Sequence, residues 1–147
     1  MHTVSGSCHC GNVRVDLEIT REPGTYQPRA CDCDFCRKHG AAWVSDPQGS
    51  LAIRIRDEGN TGFYRQGSGL AECLLCSSCG VLVAVIYRED GRLYGAINAK
   101  AVEGGLIFGA EQISSPKTLS AGQKTKRWQD LWFSRVIFEV ANPQDPT

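Results

Sequence analysis

The chain has 147 residues, enough for one domain with a packed core, and no linker or composition shift divides it, so 1–147 is expected to form a single domain. Lys+Arg and Asp+Glu each number 16, which removes the basic footprint of a nucleic-acid or anionic-membrane binder. Hydrophobic residues make up 41% and charged residues 22%, the balance of a soluble globular protein rather than a disordered one.

Along the chain, Val13, Val15, Leu17 and Ile19 alternate with Arg14, Asp16 and Glu18. That period of two predicts a half-buried strand. Leu51, Ile53 and Ile55 alternate with Ala52, Arg54 and Arg56 and predict another. Apolar runs over 81–88 and 93–99 flank Glu89-Asp90-Gly91-Arg92, and Asp-Gly between two such runs predicts a hairpin. Leu106 to Phe108 and Arg135 to Val140 read as later strands. Between them, Ile113 to Trp132 is polar and irregular and reads as a loop with some helix; long loops in compact domains are often functional. Helical periodicity is weak elsewhere, and the 16 glycines are spread as short strands and tight turns require. The fold class is therefore mainly β, built of small antiparallel sheets.

The first residues, MHTVSGSCHC, lack the basic start and apolar run of a secretory signal. No apolar stretch is long enough for a bilayer, the best being Val81 to Tyr87. A cytoplasmic location and no membrane partner are expected. In that compartment 8 cysteines point to metal rather than to disulfides.

The cysteines fall in three groups: Cys8-His9-Cys10-Gly11, Cys31-Asp32-Cys33-Asp34-Phe35-Cys36, and Cys73-Leu74-Leu75-Cys76-Ser77-Ser78-Cys79-Gly80. Zinc takes sulfur ligands at about 2.3 Å in a tetrahedron, so ligands close in sequence can bend round one ion. Cys76 and Cys79 followed by Gly80 form a zinc-knuckle pattern. Cys8 and Cys10 form a tighter pair, and the two pairs together would make a closed four-thiolate site that contributes folding free energy directly. Cys31, Cys33 and Cys36 remain as a trio able to hold an ion with one position open to water or substrate. A substrate thiol is a suitable guest, because zinc coordinates soft sulfur well. The trio could instead be closed by a fourth protein ligand, His39 or Cys73, and be structural. Cys73 by itself reads as a buried strand residue, His9 as solvent-facing, and His2 as uninformative.

At these groups the chain resembles the glutathione-dependent formaldehyde-activating enzyme family, which includes a centromere-associated branch. The resemblance rests on Ser7-Cys8-His9-Cys10-Gly11, on Cys31-Asp32-Cys33-Asp34-Phe35-Cys36-Arg37-Lys38-His39-Gly40 and on Cys76-Ser77-Ser78-Cys79-Gly80. It implies a β-tent or Mss4-like fold with two zinc ions per chain. Cys8, Cys10, Cys76 and Cys79 would hold a structural zinc, and Cys31, Cys33 and Cys36 a catalytic one. It also implies a carbon–sulfur lyase acting on a thiol–aldehyde adduct such as S-hydroxymethylglutathione. Two places depart from the family pattern. Cys73 and Leu75 stand where an arginine and an aromatic usually precede the last cysteine pair. The stretch from Ser115 to Trp128 lacks the family's late histidine.

The enzyme reading gives Arg37, Lys38 and His39 a role in pairing with substrate carboxylates or moving a proton. The alternative is a zinc-stapled binding module without chemistry, for which Lys124 to Trp128 supplies basic residues and an aromatic. The net charge of zero does not favour nucleic acid as its partner. Thiol redox chemistry at Cys73 to Cys79 is a third option, weakened by the absence of alternating strands and helices. Oligomeric state leaves no mark in the sequence.

Overall fold

Two alternating stretches build the first sheet. The computed structural model describes residues 1–104 and 107–141. In it β1 (His2–Ser7) pairs antiparallel with β2 (Val13–Ile19), whose Val13, Val15, Leu17 and Ile19 are all buried. Next in the chain come β3 (Arg29–Cys31), the short helix α1 (Asp34–His39) and β4 (Ala42–Val44). β5 (Ser50–Ile55) then returns beside β2 with Val13 opposite Ile55, Val15 opposite Ile53 and Leu17 opposite Leu51. This register puts every Val, Leu and Ile of the two strands on one face, and each buried Val, Leu or Ile contributes roughly 2 kcal/mol.

The second sheet takes the middle of the chain. β6 (Thr61–Tyr64), β7 (Ala71–Cys76), β8 (Leu82–Glu89) and β9 (Arg92–Asn98) form an antiparallel meander. Asp90 and Gly91 turn the β8–β9 hairpin with φ of 51° and 76°, the left-handed pair that a two-residue hairpin demands. β10 (Gln112–Ser114) adds to the far edge beside β3, giving the order β10-β3-β4-β9-β8-β7-β6. The helix α2 (Ala121–Leu131) follows, and β11 (Val136–Val140) closes the first sheet in the order β1-β2-β5-β11. The architecture is mainly β, as the alternation predicts. Each sheet also contains one parallel pair, β10 with β3 and β11 with β5.

β8 is apolar and buried from Leu82 to Tyr87 because both its faces are covered there. Ala84 and Ile86 join the core shared with β2 and β5, while Val85 and Tyr87 join a second cluster with Trp43, Trp132, Cys36 and Cys73. The second sheet is thus the middle layer, with the first sheet on one side and α1, α2 and their loops on the other.

Three expectations change in detail. The segment 113–132, read as a loop with some helix, has more than half its length in the 11-residue helix α2. Ser120 caps it in a reciprocal pair with Gln123, and its one aromatic residue, Trp128, packs against Tyr87 and Trp132. Of the strand read at 106–108, Leu106 lies outside the described residues, and Ile107 and Phe108 belong to no strand; they pack on the first core as a loop, with the Phe108 ring edge-on to Tyr26 at 6.4 Å. His2, read as uninformative, lies in β1 with its ring 3.6 Å from Glu22. Among the described residues, no helix is long and apolar enough to cross a membrane.

Candidate metal centres and the cavity beside them

The first cysteine cluster forms where two similar turns meet. Gly11 N–H donates to Cys8 O at 3.2 Å and Gly80 N–H to Cys76 O at 2.8 Å. Both glycines are left-handed, with φ of 83° and 80°, which lets the chain reverse after each cysteine pair. The Sγ atoms of Cys8, Cys10, Cys76 and Cys79 all lie within 4.8 Å of one another. Cys8 and Cys10 sulfurs are 3.7 Å apart and Cys10 and Cys76 sulfurs 3.5 Å apart. A tetrahedron with bonds of about 2.3 Å places its sulfurs about 3.8 Å apart, so the donor set fits a metal ion of zinc's size.

The thiols of this cluster act on one another. Burial and the neighbouring thiols push the Cys8 thiol up to about 11. Burial also acts upward on Cys79, but the Cys10 and Val81 amides and the Cys76 and Cys8 thiols outweigh it and bring it down to about 6. Cys79 accepts from its neighbours, and metal binding to such a cluster releases thiol protons. His9 is exposed beside this cluster and contributes nothing to it.

The second cluster forms at the end of β3 and the start of α1. Cys31 is the last residue of β3, Cys33 caps α1 by accepting the Cys36 N–H at 3.4 Å, and Cys36 lies buried inside the helix. The three sulfurs lie within 4.8 Å of one another. Hydrogen bonding from Cys36 lowers Cys31 to about 6, while Cys36 is driven upward by the same contact and by burial. The trio is anchored to the late chain through Asp32, which accepts the Ser115 hydroxyl at 2.5 Å and donates its N–H to Ser114 O at 2.9 Å. The Gln66 amide reaches Cys33 Sγ at 3.8 Å from the loop after β6.

No fourth protein ligand joins the trio among the described residues. His39 is exposed and packs its ring on Phe35 at 4.7 Å. Cys73 is buried, as its strand position predicts, yet it faces the trio's side of the sheet. Its thiol is pushed up to about 12 by burial and by the charges at Cys33 and Cys31. Arg37 and Lys38 point to solvent, Arg37 pairing with Asp34 at 3.4 Å, and neither they nor His39 lines the cavity next to the trio. The exposed face of a short helix carries them away from it.

That cavity, of about 280 Å³, opens against the trio. Its apolar wall is Trp43, Val85 and Trp132, and Trp128 stacks on Trp132 at 5.0 Å. Its polar wall is Arg29, Lys117, Lys124 and Arg127. Arg29 donates to Ser45 Oγ at 2.7 Å and Arg127 to Ser114 Oγ at 2.9 Å. Burial, and then repulsion from Arg127, bring Arg29 down to about 10, so it stays charged at neutral pH. Lys124, Arg127 and Trp128, from the stretch that the binding-module alternative drew on, line this cavity. Arg29, Trp43 and Gln66 had no signal in the sequence. Lys124, Arg127, Trp128 and Leu131 do recur at helical spacing behind a Ser-x-x-Gln cap, a pattern that marks α2 and its inward face.

Residues 3–107 match the family model described as glutathione-dependent formaldehyde-activating enzyme. The matched stretch contains every cysteine and stops before β10 and α2. Among solved structures the chain is similar to a Rhodobacter sphaeroides protein determined by structural genomics, at 26% identity and a TM-score of 0.49, over 72% of this chain and 99% of that one. No curated protein matches it.

Proposed function

As the chain belongs to the glutathione-dependent formaldehyde-activating enzyme family, we propose that it is a zinc-dependent carbon–sulfur lyase acting on a thiol–aldehyde adduct such as S-hydroxymethylglutathione. The observation that carries this reading is the trio of Cys31, Cys33 and Cys36, three thiols converging at the wall of a cavity. Cys8, Cys10, Cys76 and Cys79 would hold a second, closed zinc that staples the fold. All-sulfur donor sets favour zinc over magnesium or calcium. Zinc at the trio would supply a Lewis-acid position for the substrate sulfur and favour its thiolate form. We read 1–147 as one domain, because α2 and β11 complete the cavity wall and the first sheet. A cytoplasmic location suits a chain whose eight cysteines are all free of disulfides.

In the lyase direction the adduct hydroxyl loses its proton, the carbonyl forms, and the carbon–sulfur bond breaks with its electron pair passing to sulfur. Addition runs the same bonds in reverse. Lys117 and Lys124 offset the negative charge that collects on sulfur, and Trp43 and Trp132 keep water from one side of it. No histidine or carboxylate lines the cavity among the described residues, so the reading sends the hydroxyl proton to water at the cavity mouth.

Cys33→Ala is the test. The parent is expected to contain two zinc ions per chain. The variant should keep its circular-dichroism spectrum, lose one zinc and lose activity on glutathione with formaldehyde by on the order of a hundredfold or more. A variant that unfolds assigns the trio a structural role and removes the lyase reading.

A further inference from the structure

The cavity wall carries four cationic side chains and no carboxylate among the described residues. Lys117 has a counter-charge in Asp32, 3.9 Å away. Arg29, Arg127 and Lys124 have no ion-pair partner among the described residues. The hydrogen bonds of the two arginines go to the neutral hydroxyls of Ser45 and Ser114. Three thiolates round a divalent ion would carry about one negative charge. Positive charge therefore remains in surplus even with the trio loaded.

Half-buried guanidiniums that have given up hydration without gaining an anion are costly, and two that repel each other more so. A fold keeps such a pair where a ligand carries the missing charge. The planar fork of arginine selects the shape of that ligand group, since it matches a carboxylate by two parallel hydrogen bonds. Among the described residues the same wall offers a buried ammonium no carboxylate, and the ammonium would face the four cations as like charges.

We propose that Arg29 and Arg127 form a carboxylate clamp that makes the cavity select acidic thiols, and that it discriminates against a free ammonium on the same ligand. The proposal rests on the reading above only for the ligand's sulfur. Arg29 and Arg127 are specificity residues for that ligand, and they act before any bond is broken. The clamp also accounts for α2, whose Arg127, Lys124 and Trp128 reach the cavity from beyond the stretch that matches the family model.

The test is binding, independent of turnover. All 3 tryptophans of the chain, Trp43, Trp128 and Trp132, line the cavity, so intrinsic fluorescence reports its occupancy. The probes are thioethers, which cannot become thiolates at the metal: (methylthio)succinate, its dimethyl ester, S-methylglutathione and N-acetyl-S-methylglutathione. The metal-loaded protein should bind (methylthio)succinate saturably and the ester more weakly by on the order of tenfold or more, the loss expected for a charge-assisted bond. Arg127→Gln should weaken the acid by a similar factor. Arg29→Gln should do the same and Arg29→Lys should restore part of it, circular dichroism checking that each variant is folded. Lys126→Gln removes one positive charge from the outer face, where Lys126 pairs with Asp130, and should change nothing. N-acetylation should tighten S-methylglutathione.

Equal affinity for acid and ester, or an Arg127→Gln protein that binds the acid like its parent, overturns the clamp. No gain on N-acetylation overturns the discrimination against ammonium. The two readings fail separately. Acid binding through the arginines without turnover of any thiol–aldehyde adduct leaves the clamp and removes the lyase. Turnover that depends on Cys33, with acid and ester bound alike, does the reverse.

Discussion

Cys73 and Cys76 stand three residues apart on one strand, and an odd spacing in a strand sends side chains to opposite faces. Cys76 accordingly joins Cys8 in the first core while Cys73 joins the trio's side. The two cannot serve one metal, and the redox-type spacing of Cys73 and Cys76 is cancelled by the strand that holds them. A second residue-scale feature bears on acid stability. Asp46 is 5% exposed and accepts from the Tyr26 hydroxyl at 2.6 Å and the Thr20 hydroxyl at 2.7 Å. Burial acts upward on its carboxyl, but the bonds from Tyr26, Thr20 and Gln48 prevail and hold it down to about 2. A depressed carboxyl contributes stability above its unfolded value, and that contribution is lost as pH falls through the folded value. Asp46→Asn should therefore cost on the order of 2 kcal/mol in urea unfolding at neutral pH. The gap between variant and parent should narrow as pH drops from about 3.8 to about 2. A gap that stays constant through that range would assign the cost to shape rather than charge.

Among the elements, α2 supplies three of the cavity-lining side chains, Lys124, Arg127 and Trp128. It holds only 11 residues, a length that is marginal in isolation. Its N-terminus is fixed by Ser120, whose hydroxyl accepts the Gln123 N–H at 3.2 Å while the Gln123 side chain accepts the Ser120 N–H at 2.9 Å. Its inward face is fixed by Trp128, tilted against Tyr87 at 5.2 Å. Ser120→Ala should lower stability by about 1 kcal/mol. Because the frayed turn lies next to Lys124, the same variant should weaken (methylthio)succinate binding, read by tryptophan fluorescence. Unchanged affinity at reduced stability would show that the cavity depends on the C-terminal half of the helix alone. The hairpin of β8 and β9 behaves differently: Asp-Gly dictates its turn locally, and it forms where the sequence predicts.

For the whole molecule, the two cysteine clusters divide stability from access. The four-cysteine cluster ties residue 8 to residue 79 across both sheets and sits against the first core. The trio ties β3 only to the adjacent start of α1. Stepwise chelation should remove the trio's metal first with the far-UV spectrum intact. The second metal should leave together with cooperative unfolding, because the unfolded chain has no preformed site. Metal release and circular dichroism followed on one sample check this; two metals lost together with the fold would contradict it.

The sequence by itself determined what depends on short range. Period-two alternation set β2 and β5, the apolar runs on either side of Asp90-Gly91 set the β8–β9 hairpin, and the spacing within each cysteine group marked the candidate metal ligands. These are decided by side-chain direction and backbone sterics within a few residues, so they are written locally. Only the tertiary structure decided the rest. The parallel pairings of β3 with β10 and of β5 with β11 join segments more than eighty residues apart, and no local pattern specifies them. The face taken by Cys73 depended on strand parity, and the removal of Arg37, Lys38 and His39 from the site on the direction of α1. Two of the cavity's four cationic side chains, Arg29 and Arg127, stand ninety-eight positions apart, and their meeting beside the trio follows from packing and not from any motif.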